Sequence, residues 1–262
     1  MKKLRSHLIV PDVQVKEGVP TAHLTHLGKY MVDKQPEVVV CLGDFADLPS
    51  LSSYDKGRKC FEGRRYWKDI DAARKAMDKL MKPLHDYNRK RAKGKHKQYN
   101  PRLVMLLGNH ENRINRAVEA ESILECTIST DDLRYKEAGW EVHNFLEVVE
   151  IDGIRYSHFF PRSASGRVMQ STRGAPNAAT QVRREMGSCT SGHLQGLDFS
   201  IYQTGKQRFY GLIAGSCYTH DEDYLTPQGT QYWRGIIMKH EVKDGEYDPM
   251  FVSLDYLKRR YG

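Results

Sequence analysis

The amino-acid sequence predicts an α/β protein with two sheets packed between helices. Three observations carry that expectation. The chain opens with a strand–helix–strand order, and three short apolar runs each end at a glycine or an acidic residue. Beyond about residue 147 the alternation gives way to a hairpin signal and closely spaced strand-like runs.

The elements follow in chain order. Residues 7–10 are an apolar run closed by Pro11-Asp12, which reads as a buried strand with Asp12 at its C-terminal end. His23, Leu24, Leu27 and Met31 recur at helical spacing over residues 21–32, and the apolar run 38–42 then ends in Gly43-Asp44. A right-handed crossover makes the two strands of such a unit parallel. Residues 48–63 have no clear period and read as an excursion. Over residues 66–91, Trp67, Ile70, Ala73, Met77, Leu80 and Leu84 make an amphipathic helix, with a core place for Trp67 as one open reading and a kink or interruption at Pro83. The Lys/Arg-rich stretch to Gln98 reads as a solvent-facing tail or loop.

Residues 103–107 form a third apolar run, closed by Gly108-Asn109-His110. Helix is expected over 112–124 and again over 131–138. Residues 147–151 and 154–157 flank Asp152-Gly153, a hairpin turn pair. A helix over 177–186, a short strand over 188–191 and strand-like runs over 208–214 and 232–239 complete the reading. With no internal repeat and no low-complexity linker, the expectation is one domain over residues 1–262, carrying a basic helical insertion at about 50–100.

Composition narrows the class. With 39% hydrophobic and 28% charged residues the chain matches ordinary globular proteins and not disordered ones. No apolar run approaches the ~20 residues of a membrane span, and the one behind the basic N-terminus, Leu8-Ile9-Val10, is too short for a signal peptide. Five cysteines without paired spacing read as free thiols, so a cytoplasmic protein is expected. The net charge is +8, but residues 51–100 hold 16 Lys/Arg against 6 Asp/Glu. One segment therefore makes the chain basic. A polyanionic partner and a solvated basic helix are both open readings of that segment.

Three strands ending in Asp, Gly-Asp and Gly-Asn-His suggest a shared site. Loops at the C-terminal ends of parallel strands converge on one crevice, and glycines let the backbone approach a ligand closely. Tyr156-Ser157-His158 and Ser191-Gly192-His193 add two further strand ends carrying histidine. The ordered set Pro11-Asp12-Val13-Gln14, Gly43-Asp44-Phe45-Ala46-Asp47, Gly108-Asn109-His110-Glu111, His158 and Gly192-His193-Leu194-Gln195 resembles the calcineurin-like metallophosphoesterase family. That family's pattern is D-x-H, G-D-x-x-D, G-N-H-[DE], H and G-H-x-H.

The resemblance implies a four-layer αββα sandwich of two mixed sheets, with two divalent metal ions at the strand ends. It implies that Asp44 bridges both ions, that Asn109, His158 and His193 complete one ion's ligands, and that Asp12 with positions 14 and 195 holds the other. His110 takes the role of a catalytic histidine on the scissile phosphate, oriented by Asp47. Two ions ~3.5–4 Å apart can clamp a phosphate and activate a water, so no Ser or Cys nucleophile is required.

The chain departs from the pattern at Gln14 and Gln195, where the family carries histidine. Both belong to the same ion. A neutral amide oxygen is a harder and weaker donor than imidazole, which shifts the expected metal to Mn2+, with Mg2+, Zn2+ and Fe2+ as alternatives.

The expected substrate is a phosphoester. The protein phosphatases' extended G-D-x-V-D-R-G signature is absent, since Leu48 follows Asp47, although Glu111 matches their G-N-H-E. The basic segment interleaves Tyr54, Phe61, Tyr66, Trp67, Tyr87 and Tyr99 with its cations, a composition that suits nucleic acid. A phosphodiesterase or nuclease acting on DNA, RNA or nucleotides is therefore the leading expectation. A phosphomonoesterase of the Ser/Thr phosphatase type and a catalytically silent nucleic-acid binder are the alternatives. Arg113, Arg162 and Arg167 are candidate substrate contacts, with an ordinary helix face or a basic loop as the competing role.

Overall fold

The computed structural model describes residues 4–161, 175–221 and 232–262. Among them two mixed sheets lie face to face between helices. The first holds β1 (Arg5–Val10), β2 (Val38–Cys41), β3 (Arg102–Leu106), β4 (Glu141–His143), β10 (Gly235–Lys243) and β11 (Glu246–Ser253), in the order β11-β10-β1-β2-β3-β4. Strands β1 to β4 run parallel, and β10 and β11 join antiparallel. The second sheet holds β5 (Val149–Ile151), β6 (Ile154–Tyr156), β7 (Cys189–Ser191), β8 (Leu197–Gln203) and β9 (Arg208–Ala214), in the order β5-β6-β7-β9-β8. Strands β6, β7 and β9 are parallel, with antiparallel strands at both edges.

Side-chain alternation divides the first sheet's strands between two cores. Leu8, Val10, Val39, Cys41, Leu103 and Met105 face a helical layer made of α1 (Ala22–Lys34), α2 (Tyr66–Lys93) and α5 (Leu254–Tyr261). Ile9, Val38, Val40, Val104 and Leu106 face the second sheet and pack with Ile151, Ile154, Tyr156 and Leu212. Burial on both faces explains why these strands read as continuous apolar runs. Helix α4 (Ala178–Glu185) covers the outer face of the second sheet, Val182 packing on Cys189. The helix falls within the stretch 177–186 that the sequence suggests; its Asn177 cap accepts the Thr180 N–H, and Met186 ends it in a left-handed turn. The αββα layering is thus observed directly.

Several expectations change. Helix α2 runs through Pro83 without a break. The close seat of α1 explains this: a Cβ at Gly28 would clash with the Leu80 carbonyl and lie 2.9 Å from Pro83 Cγ, so packing holds the helix across the missing hydrogen bond. The helix also continues to Lys93, and only the residues after it form the exposed tail. Trp67 is not core but 65% exposed, because it lies off the Ile70–Ala73–Met77–Leu80 stripe. The second helical stretch, 131–138, reduces to the 3-10 turn Thr130–Leu133, which Ser129 and Asp132 cap reciprocally. Helix α3 spans only Asn112–Ala120, followed by the turn Ser122–Leu124.

Three of the cations of α2 are compensated within the helix. Lys75 pairs with Asp71, and Lys82 and Arg89 share Asp86, all on exposed turns of the same helix. Such pairs keep a helix soluble and contribute a few tenths of a kcal/mol each. The five cysteines are free, with Cys60 and Cys126 exposed and the other three buried. Among the described residues, no helix is long and apolar enough to cross a membrane.

Candidate metal centre

Five strand ends meet at one edge of the sandwich: Asp12 follows β1, Asp44 follows β2, Asn109 and His110 follow β3, His158 follows β6, and His193 and Gln195 follow β7. The loops are stitched to one another by their backbones. Val13 and Gln14 donate to the Asp44 carbonyl at 3.0 and 2.8 Å, Gly192 to that of His158 at 3.0 Å, and Cys217 to that of Asp12 at 2.7 Å. Two glycines are required by contact. A Cβ on Gly108 would overlap the Asp44 carboxylate, and one on Gly192 would overlap that of Asp12.

One donor atom from each of Asp44, His158 and His193 lies within 4.8 Å of the others, a spacing that suits a shared cation. His158 Nε2 stands 2.8 Å from Asn109 Oδ1 and 3.3 Å from Asp44 Oδ2, while its Nδ1–H donates to the Leu42 carbonyl at 2.8 Å. That carbonyl fixes the ring's orientation and leaves Nε2 facing the site. Asp12 Oδ1 accepts the His193 backbone N–H at 3.0 Å. Among the described residues, Asp12 Oδ2 and both amide atoms of Gln14 are buried without a hydrogen-bond partner. Leaving such atoms unpaired costs roughly 1–3 kcal/mol each, so three together mark a place built for a ligand. Gln195 differs, since its Oε1 accepts the Tyr218 hydroxyl at 2.7 Å.

The backbone is strained in the same place. Asp44, Gln14, His193 and Gln195 take φ of +49°, +51°, +66° and +59°. Non-glycine residues in this region cost of order 1 kcal/mol each and cluster where function requires them.

Beside this set lies His110. Its Nδ1 is 2.7 Å from Asp47 Oδ1, and its Nε2 is 3.7 Å from Asp44 Oδ2. Arg113 donates to the Asp47 carbonyl at 2.7 Å and brings its other terminal nitrogen within 3.2 Å of His110 Nε2. The structure thus seats Arg113 on the histidine–aspartate pair instead of a plain helix face. Arg162 and Arg167 lie outside the described residues.

Charge balances within the cluster. Burial opposes the ionised form of Asp44, but His110 and His158 beside it hold its carboxyl well below the usual carboxylate range. Burial likewise lowers His158, yet Asp44 outweighs it and raises the imidazole to about 9. Burial pushes Asp12 up to about 7. His110 is raised above its ordinary value because Asp44 and Asp47 overcome desolvation.

One residue has a role that the sequence did not signal. Glu111 is fully buried, and its carboxylate accepts three backbone N–H groups, from Asp44, Ala46 and Gly108, each at 2.9 Å. It therefore clamps the β2 loop to the β3 loop. Its place after the Gly-Asn-His run was visible, but its partners 65 and 67 residues away were not.

No family model matches the chain, and no curated protein matches it. Among solved structures it is similar to a conserved uncharacterized protein of Streptococcus pneumoniae TIGR4, described as a predicted phosphoesterase. The identity is 12% and the TM-score 0.40, with 97% of this chain and 92% of that one covered.

Proposed function

We propose that this chain is a metal-dependent phosphoester hydrolase of the calcineurin-like type, acting on phosphodiesters of nucleic acid or nucleotides. The observation that carries this reading is the pairing of a convergent Asp44–Asn109–His158–His193 set with the partnerless atoms of Asp12 and Gln14. The first four would hold one divalent ion. Asp12, Asp44, Gln14 and Gln195 would hold a second, Gln195 through the remaining lone pair of an oxygen already oriented by Tyr218. Bound there, two ions would clamp the phosphate and supply a nucleophilic water at neutral pH.

The chain's own groups do the rest. Asp47 accepts from His110 Nδ1–H and, with Asp44, favours the imidazolium, whose Nε2 proton could pass to the leaving oxygen once substrate takes the place of the Arg113 contact. Arg113 closes the pair from the outside and brings positive charge to the phosphate's flank. The all-oxygen donor set on the Asp12–Gln14 side favours Mn2+ or Mg2+ over Zn2+.

The test is hydrolysis of a nitrophenyl monoester and the corresponding bis-ester under Mn2+, Mg2+, Zn2+ and Ni2+. Diester turnover with Mn2+ is expected, abolished in Asp44→Asn. His110→Ala should lower kcat by ~10²–10⁴-fold with metal content unchanged. A wild type inert under every ion would overturn the reading.

A further inference from the structure

The excursion that follows Asp47 folds over a cavity of about 430 Å³ opening beside the candidate centre. Its size falls in the range of ligand sites, roughly 300–1,000 Å³. Asp47 forms part of its wall, and so do the two cations that touch Asp47, namely Lys16 and Arg113, each at 3.3 Å. Arg58 and Arg64 line it further out, against the single carboxylate of Asp55. Arg64 is tied to Asp55 at 2.7 Å and to the Pro49 carbonyl, which fixes the fold of the excursion. Arg58 is 69% exposed and only 3.8 Å from Asp55, so its charge remains available. Four cations against two carboxylates leave the cavity wall net positive.

Tyr54 also lines the cavity and is 71% exposed. Tyr66 and Tyr99, by contrast, are half-buried, and their hydroxyls are bonded to Asp132 and to the Pro36 carbonyl. At the other side of Lys16, Glu17 binds Lys68, whose ammonium lies 5.9 Å from the exposed Trp67 ring. An open aromatic face next to a net-positive wall suits an unpaired base joined to a phosphate.

We propose that this cavity is a nucleotide subsite. In it Arg58 and Lys16 hold the phosphate next to the scissile one, and the adjoining base stacks on Tyr54, so the substrate is single-stranded nucleic acid. The inference rests on the hydrolase reading for its second phosphate, but its ligand contacts are separate from the centre. A duplex keeps its bases stacked inside and offers Tyr54 no face.

The test measures binding of a short labelled single-stranded DNA to the full chain in EDTA, by fluorescence anisotropy across a salt series. Tyr54→Ala should weaken binding about fivefold or more, and Tyr54→Phe should restore it. Arg58→Ala should reduce the slope of log affinity against log salt by about 0.7. Both alanine variants should hydrolyse the nitrophenyl bis-ester as the wild type does. Wild-type-like binding by both, failure of Tyr54→Phe to rescue, equal affinity for duplex, or no single-strand binding at all would each overturn the subsite. An inert wild type that still shows this binding pattern would remove the hydrolase reading alone.

Discussion

Two buried polar clusters lie at opposite ends of β1, and they are resolved in opposite ways. At the N-terminal end, His7 bonds Tyr156 through Nδ1 at 2.8 Å and Asp152 through Nε2 at 3.0 Å. Lys239, fully buried between the sheets, donates to Tyr156 and Thr190 and lies 4.3 and 4.7 Å from the Tyr247 and Tyr156 rings. One orientation satisfies the whole chain: Lys239 donates to Tyr156, Tyr156 to Nδ1, and Nε2–H to Asp152. Burial depresses the Lys239 ammonium well below its ordinary range, in keeping with a neutral amine there. Just past the other end, Asp12 and Gln14 keep three buried atoms unpaired among the described residues. A closed cluster joins two sheets. An open one leaves polar atoms that only a ligand from outside could pair, as the proposed metal ion would.

The contrast can be broken by mutation. The largest effect is expected at the clamp behind the open cluster. Glu111→Gln substitutes an amide for a carboxylate that holds three N–H groups, and should cost about 3 kcal/mol in urea unfolding and loosen metal binding. If stability is unchanged, the clamp is not what holds the two loops together.

A reciprocal pair comes next. Gln14→Met keeps side-chain volume and removes two unpaired polar atoms, so the EDTA-treated protein should gain about 1–3 kcal/mol while metal content falls. Tyr156→Phe removes the hydroxyl shared by His7 and Lys239, and should lose about 1–3 kcal/mol with metal content and turnover kept. Same-sign changes in the two variants would erase the distinction between the clusters.

The smallest effect is in pH. Burial lowers His7 from 6.5 to about 4. Because the folded-state value is depressed, the fold favours neutral imidazole. Its contribution is complete above the unfolded value near 6.5 and is lost as pH falls from there towards 4. Between pH 8 and pH 5 this amounts to about 2 kcal/mol in urea unfolding of the metal-free protein. His7→Asn should remove that share of the acid sensitivity; an unaltered pH profile would count against a neutral His7 in the closed cluster.

Legibility followed the range of the interaction. The strands β1, β2 and β3, the Asp152-Gly153 hairpin and the capped helix α4 were readable because each is written in a few adjacent residues. Strand β11 was not: Pro249 argues against a strand, and only its place at the sheet edge accommodates a residue with no N–H to give. The exposed place of Trp67 was not decided by the sequence, because helical spacing alone does not say where a hydrophobic stripe ends. No interruption occurs at Pro83, because the contact that carries the helix past it comes from Gly28.

The candidate site divides on the same line. Sequence by itself determined which residues stand at the strand ends and their order, since these are matters of spacing; that Gln14 and Gln195 share one side of a centre came from the family resemblance. Tertiary structure alone decided that Glu111 clamps two loops, that Arg113 turns onto His110 and Asp47, and that Gln14 is left unpaired while Gln195 is engaged by Tyr218. These rest on hydrogen bonds between residues far apart in the chain, which no local pattern encodes. It also brought Arg58 and Arg64 of the excursion together with Lys16 and Arg113 around one cavity beside Asp47.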